Sequence, residues 1–335
     1  MNRLPSHRHQ LGVTLVELMI AMTLNLILLS GAFSVYISNQ RIHRTSEGIA
    51  QVQENLRIAS DYLNREGRMA GSGFSCSPNQ VENLLKDQSS FEFNYTQVIT
   101  GYDDGSELPK ELQGKALSGT DVLVVRGSYG TGARLESEMN NSSAVLKTTV
   151  MNPAPFKTGD IVVITDCRSA SIFQVTNYTS ANGNVVHNTG QKTHPGNTSK
   201  KFQRSYSAGA SVIKARTAAY YIGKGASGQP ALFKFSNENG TSQSIEIVDG
   251  VHDMQLTFAE DRDNNGYPNG YYKASDIKDW NKVISVRTSL LASSLEDNLL
   301  DTPNQYEFNQ QTITPEDRKI YRTTTFVTAI RGRLQ

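Results

Sequence analysis

Charge of either sign and cysteine are both scarce in this sequence. The 335 residues carry 33 basic and 32 acidic side chains, so the net charge is +1 and the charged fraction is 19%. A nearly neutral chain lacks the basic field that binds nucleic acid, and we expect no direct nucleic-acid partner. The two cysteines, Cys76 and Cys167, form no CxxC pair. A cysteine-ligated metal cluster is therefore not expected, and a single disulfide is the alternative in an oxidising compartment.

Motifs of catalysis are missing as well. No GxSxG, HExxH, P-loop or GxGxxG motif stands in the context that its chemistry needs, and the six histidines do not cluster. We therefore predict that the chain is not an enzyme and has no certain cofactor. The opposing hypothesis is a membrane-anchored exported enzyme, whose acid, base and nucleophile would have to converge in one pocket of the folded domain.

One long apolar run stands out against this polar composition. Residues 13–37 contain a single charged side chain, Glu17, and would span about 37 Å as a helix, which is enough to cross a bilayer. The preceding residues 1–12 include Arg3 and Arg8 and no acid. Basic residues keep that end in the cytoplasm, so everything after the run is expected outside the inner membrane.

Three interpretations of the apolar run compete. A signal peptide would be cut near the small residues 30–32, but its core would be long and would contain Glu17 and Asn25. A plain membrane anchor explains the length of the run but gives Glu17 no partner. A pilin-type N-terminus would be cut on the cytoplasmic side after Gly12, which makes Glu17 the fifth residue of the mature chain.

The stretch GVTLVEL, residues 12–18, resembles the class III signal of type IV pilins and pseudopilins. The resemblance implies that prepilin peptidase cuts between Gly12 and Val13 and that Val13 is N-methylated, although Phe or Met is commoner at that position. A carboxylate inside bundled helices needs a partner. The new amino group of a neighbouring subunit's Val13 would provide one for Glu17 and would set the axial register between subunits.

A helical pattern continues beyond the apolar run and then changes to a strand pattern. Apolar residues recur every seven positions and predict one helix from about Thr14 to Arg68, whose outer half docks on a globular domain: Ile42, Ile49, Leu56 and Leu63, with Thr45, Val52 and Ala59 three positions after the first three. After Gly73, β-rich runs alternate with polar turns and predict ten strands: 121–126, 144–150, 160–165, 171–176, 218–222, 231–235, 244–248, 254–258, 282–292 and 320–330.

These patterns predict an α+β fold in which a long N-terminal transmembrane and amphipathic helix packs on an antiparallel β-sheet domain, as the resemblance to pilins also implies. The expected division is a leader peptide at 1–12, a transmembrane half-helix at 13–37, a periplasmic half-helix at 38–70 and a β-rich periplasmic domain at 71–335. The polar segment 177–207 is expected to be a loop or a weak hairpin.

Several later stretches resemble the PilW-type minor pilins in particular: 53–57 (QENLR), 68–71 (RMAG) before Cys76, 166–167 (DC), 173–176 (FQVT), 279–291 around Trp280, and 321–331. The resemblance implies a minor pilin that primes assembly of the type IV pilus near its tip, with roles in twitching motility, adhesion or DNA uptake. The nearest alternative is a pseudopilin J-like tip subunit of a type II secretion system.

The same resemblance implies the partners and the location. The partners are prepilin peptidase, other minor pilins, the major pilin, the inner-membrane assembly platform and a PilY-type tip adhesin, with membrane lipid before assembly. The chain is expected in the inner membrane as a single-pass protein with its C-terminal domain in the periplasm, and then in the fibre at the cell surface.

Two further sites are predicted from side chains of the globular domain. Cys76 and Cys167 are expected to form a disulfide, which would close a loop of about 92 residues and contribute roughly 4–5 kcal/mol by chain entropy. Asp261, Asp263 and Asn265 have the DxDxNG spacing of a Ca²⁺ loop, with Asp276 or Glu260 as further oxygen donors. A polar hairpin turn explains the same residues without metal.

Overall fold

A computed structural model describes residues 12–74, 81–104, 107–139, 143–189, 194–238 and 241–333. The chain begins with one helix, α1 (Leu15–Arg68), of 54 residues. It ends where Gly71 and Gly73 take φ angles of +72° and +73°, a conformation that glycine adopts without a steric cost. The predicted helix from about Thr14 to Arg68 is confirmed.

The described residues after α1 contain seventeen β-strands, numbered in chain order. They are β1 (Val81–Asn83), β2 (Ile99–Tyr102), β3 (Val122–Arg134), β4 (Val145–Lys147), β5 (Ile161–Thr165), β6 (Ala170–Gln174), β7 (Asn177–Thr179), β8 (Asn184–Val186), β9 (Ser211–Lys224), β10 (Pro230–Ser236), β11 (Gln243–Asp249), β12 (Val251–Glu260), β13 (Gly270–Tyr272), β14 (Val283–Ser293), β15 (Tyr306–Phe308), β16 (Gln311–Ile313) and β17 (Tyr321–Ala329).

Two sheets build the globular domain. The large sheet has the order β1-β6-β5-β9-β10-β11, with β3 also paired to β9 and β2 paired to β3. The small sheet has the order β13-β12-β14-β17, and the chain passes from one sheet to the other through Gly250, between β11 and β12. Pairing is antiparallel throughout these sheets except between β1 and β6. A three-stranded sheet, β4-β8-β7, and the hairpin β15-β16 complete the domain.

Each of the ten predicted strands is present, and the predicted α+β class is confirmed. The strands that the prediction lacks are mostly three residues long, such as β1 and β13, because three residues carry too little alternation to be recognised. The segment 177–207 does contain a hairpin, formed by β7 and β8.

The outer half of α1 docks on the domain through the predicted stripe. Val52, Leu56, Ala59 and Leu63 are buried in one apolar cluster with residues of both sheets. Ile42 is 61% exposed, so the prediction that it belongs to the docking stripe is wrong. The seven-residue spacing overextends the stripe because a straight helix turns by about 20° per heptad relative to that repeat.

Two glycines of α1 mark where the helix lies closest to the domain. A Cβ atom on Gly48 would lie 2.5 Å from Leu299 Cδ1 and 3.2 Å from Ile320 Cδ1, and one on Gly67 would lie 2.8 Å from Thr328 Cγ2. Such distances leave no room for a side chain. The absence of a side chain at Gly48 therefore lets the chain after β14 approach the helix.

Replacement of Gly67 by alanine tests this close approach. We expect Gly67→Ala to lower the free energy of unfolding of the domain by about 1–3 kcal/mol, because the new methyl group overpacks against buried Thr328. Thermal unfolding of the full chain in detergent micelles measures the change. The double variant Gly67→Ala/Thr328→Ser removes Thr328 Cγ2 but keeps its hydroxyl, and we expect it to recover most of the loss; an equal loss in both variants would contradict steric overpacking.

Candidate assembly site

The first turn of α1 carries a capping box built from Thr14 and Glu17. The Glu17 N–H donates to Thr14 Oγ1 at 3.3 Å, and the backbone N–H and the hydroxyl of Thr14 both donate to Glu17 Oε2 at 3.0 Å. These bonds satisfy donors that a helix N-terminus otherwise leaves without a partner. Among the described residues no donor contacts Glu17 Oε1, so one carboxylate oxygen stays available for another group.

The half of α1 that follows the capping box is not covered by the described residues of the domain. Its apolar window is long and apolar enough to cross a membrane, and none of that window is buried in the chain. Large apolar side chains there are strongly exposed: Leu15, Val16, Leu26, Leu28 and Phe33 are each more than 60% exposed. This surface requires lipid or other apolar helices around it.

A buried ion network ties the end of α1 to the large sheet. Arg216 on β9 donates to Glu66 of α1 at 2.6 Å and also to Glu238, which accepts from Lys234 of β10. Burial by itself raises the pKa of Glu238, but the bonds from Lys234 and Arg216 lower it below its ordinary value. Charges held in this way resist separation, because loss of one partner leaves an uncompensated buried charge.

A second set of contacts holds the membrane-proximal part of α1. Arg44 pairs with Glu296 at 2.9 Å and Arg41 with Asp301 at 3.4 Å, but these pairs are exposed and contribute little. The Thr45 hydroxyl donates to the Leu299 carbonyl at 2.8 Å, next to the close contact at Gly48. The contacts of the domain with α1 therefore begin at Arg41, a few residues beyond the apolar run.

Two parts of this arrangement, the capping box and the pair of Glu66 with Arg216, are not among the features predicted from the sequence. The capping box has a recognisable signal, Thr-x-x-Glu ahead of an apolar run, and it could have been found at Thr14 and Glu17. The pair of Glu66 with Arg216 has no comparable signal, because its members lie 150 positions apart and only the fold brings them together.

The predicted disulfide falls partly outside the described residues. Cys167 is disulfide-bonded, and its backbone N–H donates to Thr165 Oγ1 at 3.1 Å in the turn between β5 and β6. Cys76 lies outside the described residues, so its pairing with Cys167 stays a prediction.

The loop after β12 holds the predicted calcium ligands. Asp261 Oδ1 accepts from the N–H of Asn265 at 3.1 Å, and Oδ2 accepts from the N–H of Gly266 at 2.9 Å. Burial raises the pKa of Asp261, and these backbone donors lower it below its ordinary value. Asp263 accepts from the Asn265 side chain at 3.0 Å. In the described part of the chain, no three or more His, Cys, Asp or Glu side chains are grouped so that they could hold a metal.

Known protein families match both ends of the chain. The prokaryotic N-terminal methylation motif matches residues 7–33, and the domain of type IV pilus-assembly protein W matches residues 219–332. Among solved structures, a type IV-like pilin from Thermus thermophilus is similar over 85% of this chain and 98% of its own, with 10% identity and a TM-score of 0.34. No curated protein matches the chain significantly.

The methylation motif includes Gly12, Val13 and Glu17 and lies where the long helix begins, so the N-terminus of the chain is of the type IV pilin kind. The second match starts within β9 and ends just after β17, so the last third of the chain is similar to the PilW type of minor pilin. Pilins of this family are structural proteins that interact with other pilins and with the prepilin peptidase machinery. The apolar helix and the motif together indicate membrane anchoring.

The role of Asp261 in its loop leads to a prediction. We expect Asp261→Ala to lower the Tm of the domain by a few °C in EDTA, because two backbone N–H groups lose their acceptor. Asp263→Ala is the matched control and should change the Tm less, since only one side-chain bond is lost. Calorimetry with added Ca²⁺ completes the test: a rise in Tm that wild type shows and Asp261→Ala lacks would establish the calcium site.

Proposed function

We propose that this chain is a minor pilin that acts in priming and assembly of the type IV pilus. One observation carries the proposal: Glu17 stands five residues after the predicted cut, at the start of a helix whose apolar half is entirely uncovered by its own domain. Such a helix is built to be surrounded first by lipid and then by other helices. The chain's work is assembly, and its globular domain needs no active site for it.

The assembly step follows from the free oxygen of Glu17. Cleavage after Gly12 creates an α-amino group on Val13, a cation that the uncut chain does not have. In a bundle of parallel helices, the Val13 amino group of one subunit lies at the level of Glu17 of a neighbour that is shifted by a few residues. The bonds that Thr14 donates to Glu17 use only Oε2. Oε1 can therefore accept a hydrogen bond from this ammonium group without loss of the cap.

The bulk of the domain supports a position near the tip. The described residues after α1 form a domain much larger than the helix that carries it, and this domain contacts α1 from Arg41 to Glu66. Subunits that repeat along a fibre must stack closely on one another, whereas a tip subunit has a free upper surface. The expected partners are prepilin peptidase, the other minor pilins, the major pilin, the inner-membrane platform and a PilY-type adhesin.

The proposed location follows the same order of events. The chain sits first in the inner membrane, with the domain in the periplasm, and then moves into the fibre. Formation of a disulfide between Cys76 and Cys167 in the periplasm is part of this proposal, since Cys167 is disulfide-bonded. Loss of pili and twitching with intact protein secretion, after deletion of the gene, would separate this function from that of a pseudopilin J-like subunit.

The mature N-terminus provides the first test of processing. We expect intact mass and N-terminal peptide analysis of the chain from cell membranes to show a start at Val13 with one added methyl group. The physical reason is the match of cleavage motif, leader charge and apolar helix. A chain that starts at residue 33 would instead be the product of an ordinary signal peptidase and would contradict the proposal.

Variants of Glu17 separate its charge from its capping role. We expect Glu17→Val and Glu17→Gln to be cleaved normally, and both to be at least about tenfold depleted in sheared pili, because neither can pair with an ammonium group. Glu17→Gln keeps an oxygen that accepts from Thr14, so it is the control for the capping box. Normal incorporation of Glu17→Gln beside loss of Glu17→Val would show that the cap, and not the charge, is required.

A further inference from the structure

The last strand of the small sheet has an open edge. The Ser294 N–H donates to the Ile320 carbonyl and the Ile330 N–H to the Ile284 carbonyl, at the two ends of the β14-β17 ladder. Hydrogen-bonded pairs alternate along an antiparallel ladder, and the register is unbroken from Ser285/Ala329 to Ser293/Tyr321. Even-numbered residues of β17 therefore pair with β14, and odd-numbered residues point their N–H and C=O groups away from it.

The outward groups lie at the centre of β17 and have no partner in the part of the chain that the structure describes. Thr323, Thr325 and Val327 are exposed, and their backbone N–H and C=O groups take part in no hydrogen bond within the described residues. Even-numbered Phe326 and Thr328 turn their side chains to the helix side of the sheet instead. The open stretch is thus five residues long, from Thr323 to Val327, and is termed the β17 edge.

Two other strands with an unpaired side, β12 and β11, are protected in ways that the β17 edge is not. The exposed side of β12 is covered by β13 and by Asp121, whose N–H donates to the Met254 carbonyl and whose Oδ2 accepts from the Leu256 N–H. The edge strand β11 contains a bulge of its own at Ile247 and carries Glu246 next to it. β17 has no bulge, proline, glycine or charge between Arg322 and its last residue. Natural proteins rarely leave such an edge unless a strand is added to it.

The direction of β17 relative to α1 decides against a second copy as the occupant. Gly48 contacts Ile320, and Gly67 contacts Thr328. These points are about 28 Å apart along the helix and about 26 Å apart along the strand, so β17 runs parallel to α1. Antiparallel pairing of two β17 edges would point the two helices in opposite directions. Parallel pairing of the same edges would put the helices on opposite faces of the joint sheet. Neither arrangement lets both helices enter one bundle from one membrane.

We propose that the β17 edge accepts an extended strand from a different protein of the pilus assembly, a proposal that rests on the assembly function given above. The added segment would be uncharged and rich in β-branched residues over about five positions, to match the run of threonines and Val327. Arg322 and Arg331 are exposed at the two ends of the edge, and neither has an acidic partner among the described residues. Acidic residues are therefore expected at the ends of the incoming strand.

Hydrogen exchange of individual amides tests the proposal. The tagged full chain is purified from cells, once in detergent micelles alone and once in native complexes or sheared pili. We expect the N–H groups of Thr323, Thr325 and Val327 to exchange at least about tenfold more slowly in the complexes than in micelles. Those of Thr324 and Phe326 should be protected in both samples, since they bond to β14. Fast exchange of Thr323 and Val327 in both samples would overturn the proposal.

Two variants at one position separate the backbone from the side chain. Thr325→Pro removes an outward N–H group and leaves the ladder with β14 intact, so the protection of Thr323 and Val327 should be lost. Thr325→Val keeps the N–H group and should retain that protection. Val327→Lys, which adds charge without a change of backbone, is the second blocking variant if Thr325→Pro lowers the Tm. Equal protection in the blocking variants and in Thr325→Val would contradict strand addition.

The remaining outcomes separate this proposal from the assembly function. Protection in micelles that increases with chain concentration would identify a second copy as the occupant and overturn the choice of a different protein. A chain that is absent from pili but has a protected β17 edge in membrane complexes would contradict the tip location and support strand addition. A chain present in pili with an unprotected edge would contradict strand addition alone.

Discussion

The burial of one face of α1 against both sheets is the constraint on which the rest of the molecule depends. Val52, Leu56, Ala59 and Leu63 are buried at the point where the large and small sheets meet, so removal of the helix would expose the cores of both. Burial of an aliphatic side chain contributes about 1.5–3 kcal/mol to the stability of the fold. The ion pairs at Glu66 add contacts of fixed geometry to this apolar interface. The helix and the domain therefore move as one body, and a force on the helix is transmitted to the sheets.

This rigid docking explains why the two halves of α1 have such different surfaces. The same helix is covered by protein from about Thr45 onward and bare before Ile37, with a short polar transition that carries Arg41 and Arg44. Because the covered half fixes the domain, the bare half has a defined rotation relative to β17. A subunit that enters a bundle through its bare half thus presents its domain in one orientation.

Local patterns in the sequence predicted much of this fold, and the reason is physical. The helix is recognisable by its period of 3.6 residues, and the ten predicted strands are recognisable as β-rich runs between polar turns, nine of them five or more residues long. The order of strands in the sheets has no such signal: β3 beside β9, or β1 parallel to β6, depends on contacts between distant segments. The same limit applies to the site. Gly12, Val13 and Glu17 form one short motif, whereas the Glu66–Arg216 pair and the close contacts at Gly48 and Gly67 exist only in the folded chain.

Glu17 shows how a local bond and an intermolecular one can be served by the same side chain. A charged residue in an apolar helix is costly when it is alone, and the capping box lowers that cost before any neighbour arrives. The cap binds one oxygen through groups within the first turn, so it does not compete with a cation that approaches along the helix axis. A carboxylate at any later position of α1 would lack this support, because the N–H groups there already bond within the helix. The last residue of a Thr-x-x-Glu capping box is therefore the place where an apolar helix can keep a charge until a second subunit supplies its partner.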